Sequence, residues 1–196
     1  MFTRMSFSLL ALALVSLVAC SEAPDTEMKA AETAFAAADQ AQAQQYAPEL
    51  YAQAMDTLQA AKMTAAEQDS KFSLFRSYSA SKELFVAAQT LVDKANTAAQ
   101  EEKERVRIQV TDMAAVVKAS LDSATVLLTK APRGKGTKAD LELLKGDLSA
   151  AQTAYDQAIV EITAGDYLTA RTRLESVQAK VTQVSDDIAK AMKLKK

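Results

Sequence analysis

The chain has 196 residues, with 23 Lys and Arg against 25 Asp and Glu, no histidine and a single cysteine. Interspersed charge with a small acidic excess lacks the basic footprint of nucleic-acid binding, and without histidine no Ser-His-Asp or Cys-His arrangement can be built. Four glycines and three prolines are too few for the turns of a sheet protein, whereas the strong helix formers Ala, Lys, Glu, Gln and Leu dominate, so the fold class expected is all-α.

The first twenty residues have the layout of an export signal. Arg4 supplies a cationic start, Phe7 to Val18 is apolar, and the segment closes on Leu17-Val18-Ala19-Cys20. Spanning a bilayer takes about 20 apolar residues, so this shorter stretch reads as a signal peptide. The four residues ending in Cys20 resemble the lipobox of bacterial lipoproteins. That resemblance implies cleavage before Cys20, a diacylglyceryl group on its thiol, removal of residues 1–19 and a short tether over 20–25. It also suits a lone cysteine, which has no intramolecular disulfide partner in an oxidising compartment. In enteric-type sorting an Asp after the cysteine favours the inner membrane, so by resemblance Ser21 permits the outer membrane, with the chain facing the periplasm. Loss of Arg4 with the signal leaves 22 Lys and Arg against 25 Asp and Glu, and no second apolar run long enough to span a membrane follows.

Beyond the tether, Pro24 and Asp25 open a helix near Thr26, with Met28, Ala31, Phe35 and Ala38 at helical spacing. After the run Ala41 to Gln45, Pro48 suits the first turn of a second helix, where its missing N–H is not needed. Leu50, Ala54, Leu58, Ala61 and Ala65 line one side of that helix. The polar patch Glu67 to Ser70 is expected to bend, with Asp69 or Ser70 as the next N-cap. From Lys71 to Lys130 no breaker occurs, which predicts one long helix. Its apolar stripe runs Leu84, Ala88, Leu91, Ala95, Ala99, Glu102, Val106, Val110, Met113, Val117, Leu121, Ala124 and Leu128. An 11-residue repeat of this kind averages about 3.67 residues per turn and predicts a nearly straight or slightly right-handed path. Glu102, inside the charged run Glu101 to Arg105, marks a solvated waist between two packed regions.

Pro132-Arg133-Gly134-Lys135-Gly136 is the clearest turn in the chain, and Thr137 with Asp140 offers a capping-box-like start to the next helix. Leu141, Leu144, Leu148, Ala151, Tyr155, Ala158 and Ile162 alternate steps of three and four, as do Tyr167, Ala170, Leu174, Val177, Val181, Val184, Ile188 and Ala191. Gly165 can cap the first of these helices and Asp166 the second. Two matched seams across so short a break imply an antiparallel hairpin over residues 140–193. The expected architecture is an N-terminal Ala-rich bundle over 26–102 and a C-terminal bundle over 103–196, two three-helix bundles sharing a long central helix. Alanine buries little area, so the N-terminal core is expected to lean on Phe35, Tyr46, Leu50, Tyr51, Met55, Leu58, Phe72, Phe75, Phe85 and Leu91.

The segment Leu148 to Leu174, with its Gly165-Asp166-Tyr167 turn, resembles helical hairpins of the tetratricopeptide type. Tyr46-Ala47-Pro48-Glu49-Leu50-Tyr51, opening an Ala-rich helix, resembles an Ala-rich domain of unknown function found in envelope lipoproteins. Neither resemblance brings catalytic residues with it.

With His absent and Cys20 acylated, acid–base work would fall to carboxylates, Lys or Tyr, and a typical zinc site lacks its ligands. The Glu101 to Glu104 run and Asp186-Asp187 read as solvated faces, because adjacent helical residues point in different directions. Gly134-Lys135-Gly136-Thr137 lacks the upstream glycine and preceding strand of a phosphate loop and reads as an interhelical turn. Met63, Phe72, Phe75 and Phe85 serve either as core or as the lining of an apolar pocket, and burial preference favours the core. The tail Lys190, Lys193, Lys195 and Lys196 complements a helix C-terminus. It also resembles the murein lipoproteins of the outer membrane, Ala-rich helical chains whose terminal lysine is joined to peptidoglycan, and this would make Lys196 an attachment point. The functional expectation is a non-enzymatic, lipid-anchored structural or adaptor protein of the envelope, needing no cofactor or metal and binding an envelope protein or peptidoglycan. A carrier or chaperone for an apolar ligand is the alternative, and pairing between chains through alanine seams stays open.

Overall fold

The computed structural model describes residues 22–131 and 138–193. The export segment with Cys20 and Ser21, the turn Pro132–Gly136 with Thr137, and Lys195 and Lys196 lie outside the described residues. All regular structure among the described residues is helical. It comprises α1 (Asp25–Gln40), the single turn α2 (Ala43–Tyr46), α3 (Pro48–Asp69), a 3-10 turn (Ser73–Phe75), α4 (Ser79–Lys130), α5 (Lys138–Ala164) and α6 (Tyr167–Lys193). The protein is an all-α bundle organised on one long helix, α4, of 52 residues. It divides into two compact units between Gln100 and Glu101, and α4 contributes to both.

In the first unit, α1 and α3 run antiparallel. The rings of Phe35 and Tyr51 meet edge to face with centroids 5.7 Å apart, Tyr51 Oη donates to Asp39 Oδ1 at 2.6 Å, and Lys62 pairs with Glu32 at 3.0 Å. Glu27 and Lys82, 3.5 Å apart, join the first turns of α1 and α4, which run parallel. The reversal between α1 and α3 is made without glycine. Gln42 takes the left-handed conformation at φ 58°, and its carbonyl accepts from the N–H groups of Gln45 and Tyr46 at 2.9 and 3.1 Å. Ala47, at φ −140° and ψ 53°, lies outside the α region, which a following proline disfavours, and Pro48 opens α3. Eight alanines of this unit are wholly buried: Ala31, Ala38, Ala43, Ala54, Ala61, Ala88, Ala95 and Ala99. Such small side chains let helices approach closely, and Phe35, Tyr46, Tyr51, Leu58, Tyr78, Phe85 and Val92 supply the bulk.

Two expectations for this unit are corrected. The long helix begins at Ser79 and not at Lys71, because the chain reverses over residues 70–78 on side-chain bonds, with neither glycine nor proline. Arg76 donates Nη2 to the Asp69 carbonyl at 2.8 Å and Nε to the Lys71 carbonyl at 3.0 Å. Gln68 Oε1 accepts from the Ser77 N–H at 3.2 Å, and Tyr78 Oη donates to Asp69 Oδ1. Phe72 and Phe75 consequently stand outside the core at 68% and 76% exposure, and Met55 is exposed as well. Leu50 and Leu91 are half-buried.

The second correction concerns the seam of α4. Continuing from Tyr78, just ahead of the helix, its buried positions in this unit are Ser81, Phe85, Ala88, Val92, Ala95 and Ala99, alternating steps of three and four, a seven-residue repeat. Leu84 and Leu91, one position earlier, sit at the half-buried edge of the face. A helix held between two neighbours buries a wide stripe, and edge and centre positions look alike by composition. The 11-residue spacing survives locally at Val106, Val110, Ala114 and Val117. Ser81, wholly buried, donates its hydroxyl to the Tyr78 carbonyl at 2.9 Å.

The second unit contains the C-terminal half of α4 and the α5–α6 hairpin. Gly165 adopts φ 82°. The Asp166 N–H returns to the Glu161 carbonyl at 2.9 Å and the Gly165 N–H to the Ile162 carbonyl at 3.1 Å, the two bonds of a Schellman stop. Asp166 Oδ1 then accepts from the Thr169 N–H at 3.3 Å, capping α6 as its sequence position predicts. Antiparallel register is fixed by Arg173 against Glu161 and Lys180 against Asp147, the latter at 2.9 Å. Leu148, Ala151 and Ala158 of α5 are buried together with Ala170, Leu174, Val177, Val181, Val184 and Ile188 of α6. Leu141, Leu144, Tyr155, Ile162, Tyr167 and Ala191 complete the two seams as half-buried edges.

Candidate functional site

The charged clusters singled out by sequence are engaged in pairs along their own helices. Glu102 binds Arg105 through two bonds of 2.8 and 2.5 Å. Glu104 binds Arg107 through two of 2.7 and 2.6 Å, and that guanidinium holds the Glu104 carboxyl below its ordinary range. Asp187 accepts from Lys190 at 3.1 Å, which gives that tail lysine a local partner. Such i,i+3 pairs support an exposed helix. Among the described residues no group of three or more carboxylates, His or Cys is placed to hold a metal ion.

Two phenols are engaged too, those of Tyr51 and Tyr78. The Tyr51 hydroxyl, donating to Asp39 and withdrawn from water, is pushed up to about 12. Tyr78 is raised by its bond to Asp69. Both stay protonated near neutral pH and act as donors that tie elements together, not as bases or nucleophiles. In the second unit Arg173 grips Glu161 with bonds of 2.6 to 3.0 Å and also donates to Gln157 at 3.1 Å. This is a bidentate lock across the hairpin.

An open cleft of about 440 Å³ lies between the second half of α4 and α6, with buried Val181 at its base and Val116, Ser120, Ser185 and Asp186 at its edges. Its hydroxyls donate to carbonyls of their own helices, Ser120 to Val116 at 3.0 Å and Ser185 to Val181 at 2.8 Å. Gln178 Oε1, buried at the same place, has no hydrogen-bond partner among the described residues.

The four residues weighed as a pocket lining do not share an enclosure. Phe85 is fully buried, whereas Phe72, Phe75 and Met63 face solvent at 68%, 76% and 59% exposure. The more distinctive feature is one that sequence reasoning missed: an exposed apolar tip on the α3–α4 connection. It consists of Phe72, Leu74 and Phe75, with Leu74 at 82% exposure and the two rings 6.4 Å apart. Lys71 and Arg76 bracket it, and neither forms an ion pair among the described residues. A signal for it existed. Extending the seven-residue register of Phe85 back along the chain places Lys71 at a core position, which a continuous buried helix would not tolerate.

No described helix is long and apolar enough to cross a membrane. No protein-family model, curated protein or solved structure matches the chain.

Proposed function

We propose that the chain is a non-enzymatic lipoprotein of the cell envelope, anchored through acylated Cys20 to the outer membrane and facing the periplasm, where its helical surfaces bind another envelope protein or the cell wall. The observation that carries this reading is Leu17-Val18-Ala19-Cys20 at the close of an apolar segment that follows Arg4. The engaged carboxylates, arginines and tyrosines described above support a structural role, since each closes a turn, a register or a helix face. The Tyr46 to Tyr51 segment fits the Ala-rich domain of envelope lipoproteins, and Lys196 is the candidate point of attachment to peptidoglycan.

Metabolic labelling with a palmitate analogue tests the anchor. The native chain is expected to take up label and the Cys20→Ser chain none; equal labelling of the two would refute acylation at this residue. The adaptor role is tested by reversible cross-linking in intact cells. Recovery of a reproducible protein adduct or of wall fragments is expected, and recovery of neither contradicts it.

A further inference from the structure

We infer that the α3–α4 tip, Phe72, Leu74 and Phe75, inserts into a phospholipid bilayer as a second membrane contact beside the acylated cysteine. The inference rests on the reading of Cys20 as the anchor.

Four observations within the first unit carry it. First, the tip stands at the same end of the unit as the start of α1. The Glu27–Lys82 pair, 3.5 Å long, ties the first turn of α1 to the first turn of α4, which follows the tip directly. Second, only five residue steps separate Cys20 from Asp25, the first residue of α1. An extended chain of that length reaches at most about 18 Å, so a lipid on Cys20 holds this end of the unit against the membrane. Third, the three apolar side chains are presented outward on a closed turn. The bonds from Arg76 to the Asp69 and Lys71 carbonyls, and from the Ser77 N–H to Gln68, fix the loop in that form. No refolding is needed for insertion. Fourth, Lys71, exposed beside the apolar residues with its ammonium on Gln68 Oε1 at 3.1 Å, can exchange that contact for a lipid phosphate at the apolar boundary, while Arg76 stays committed to the loop carbonyls.

A convex tip of this chemistry fits a bilayer surface better than a protein groove. Of the acids at this end, Glu27 is paired with Lys82 and Asp69 accepts from Tyr78, while Glu22, Asp25, Glu67 and Glu83 are exposed around it. Insertion is therefore mainly apolar. It is expected in zwitterionic vesicles and is not strengthened by anionic lipid.

The chain contains no tryptophan, so Phe72→Trp or Phe75→Trp introduces a sole indole at an exposed position, excited at wavelengths where the tyrosines do not absorb. Gln45→Trp, exposed at the opposite end of the unit, is the control. The full-length protein from its envelope is reconstituted into phosphatidylethanolamine–phosphatidylglycerol vesicles with brominated acyl chains, and the mass of the same sample reports acylation of Cys20. The expected result is a blue-shifted indole at position 72 or 75, quenched about twofold or more by bromine, and an unquenched indole at position 45. An acylated protein whose indole at 72 and 75 stays in water overturns the inference and leaves the anchor standing. Quenching at the tip with an unmodified Cys20 removes the anchor and keeps the tip as a membrane contact. A shift that appears only when solubilised envelope protein is added makes the tip a protein-docking surface and overturns the inference.

Discussion

Phe85 and Phe72 belong to one aromatic-rich stretch, yet the first has no exposed surface and the second is 68% exposed. Phe85→Ala is expected to cost about 3–5 kcal/mol, the transfer term plus the cavity left in a core where alanines leave few large side chains to fill it. Phe72→Ala is expected to stay within about 0.5 kcal/mol. Urea denaturation followed by circular dichroism separates the two, and comparable losses would contradict the assignment. Composition places both in the core, because burial is the commoner outcome for a large apolar side chain. What composition lacks is the reversal that carries Phe72 out of the bundle. Tyr51 allows a second test. Its neutral phenol donates to Asp39, and its pKa is pushed from 10.0 to about 12. The proton is held more tightly in the folded state, so the contribution is fully present below pH 10 and is lost as pH rises through about 12. Tyr51→Phe keeps the ring against Phe35 and is expected to cost about 1 kcal/mol below pH 10. Between pH 10 and 12 the difference from the native chain should shrink, and a constant difference across that window would show that Asp39 does not hold the phenol.

Gly165 and Gly146 sit in neighbouring elements and answer to alanine with opposite sign. Gly165 is at φ 82° and a Cβ there meets nothing within 4 Å, so the cost of Gly165→Ala is conformational alone, about 1–2 kcal/mol. Gly146 lies inside α5 with open space around it, and Gly146→Ala is expected to stabilise by about 0.5–1 kcal/mol. Thermal melts of the two variants check the signs; a destabilised Gly146→Ala would mean that α5 is not a plain helix there. This hairpin was legible because its stop and start signals are local: a glycine for the left-handed position, an aspartate to cap, and two seams in phase. The α3–α4 reversal was not. Its closure depends on Arg76, Gln68 and the Tyr78–Asp69 bond, and none of these residue types marks a turn until the helices on either side bring them together.

The two units are built from different cores. The first combines wholly buried alanines with aromatic side chains, and three of the large residues its sequence offered, Met55, Phe72 and Phe75, are exposed. The second packs Val106, Val110, Val117, Leu121, Leu148, Leu174, Val177, Val181, Val184 and Ile188. At about 0.8 kcal/mol per buried CH₂, the second unit is expected to open at higher free energy. Native-state hydrogen exchange is expected to show greater protection for amides around Val177–Val184 than around Ala54–Ala61. Equal protection would show that the shared helix α4 makes the molecule one cooperative body. The helical class of the whole molecule was readable from composition, since the scarcity of Gly and Pro leaves few turns to distribute.

The proposed role depends above all on the chemistry of Cys20, and one mass measurement addresses it: the intact protein taken from its native envelope, with and without muramidase digestion. The expected species begins at Cys20, carries diacylglyceryl on its thiol, and after digestion shows whether a muropeptide is joined to Lys196. A polypeptide that retains residues 1–19, or that begins elsewhere with Cys20 as a free thiol, would contradict the anchored reading.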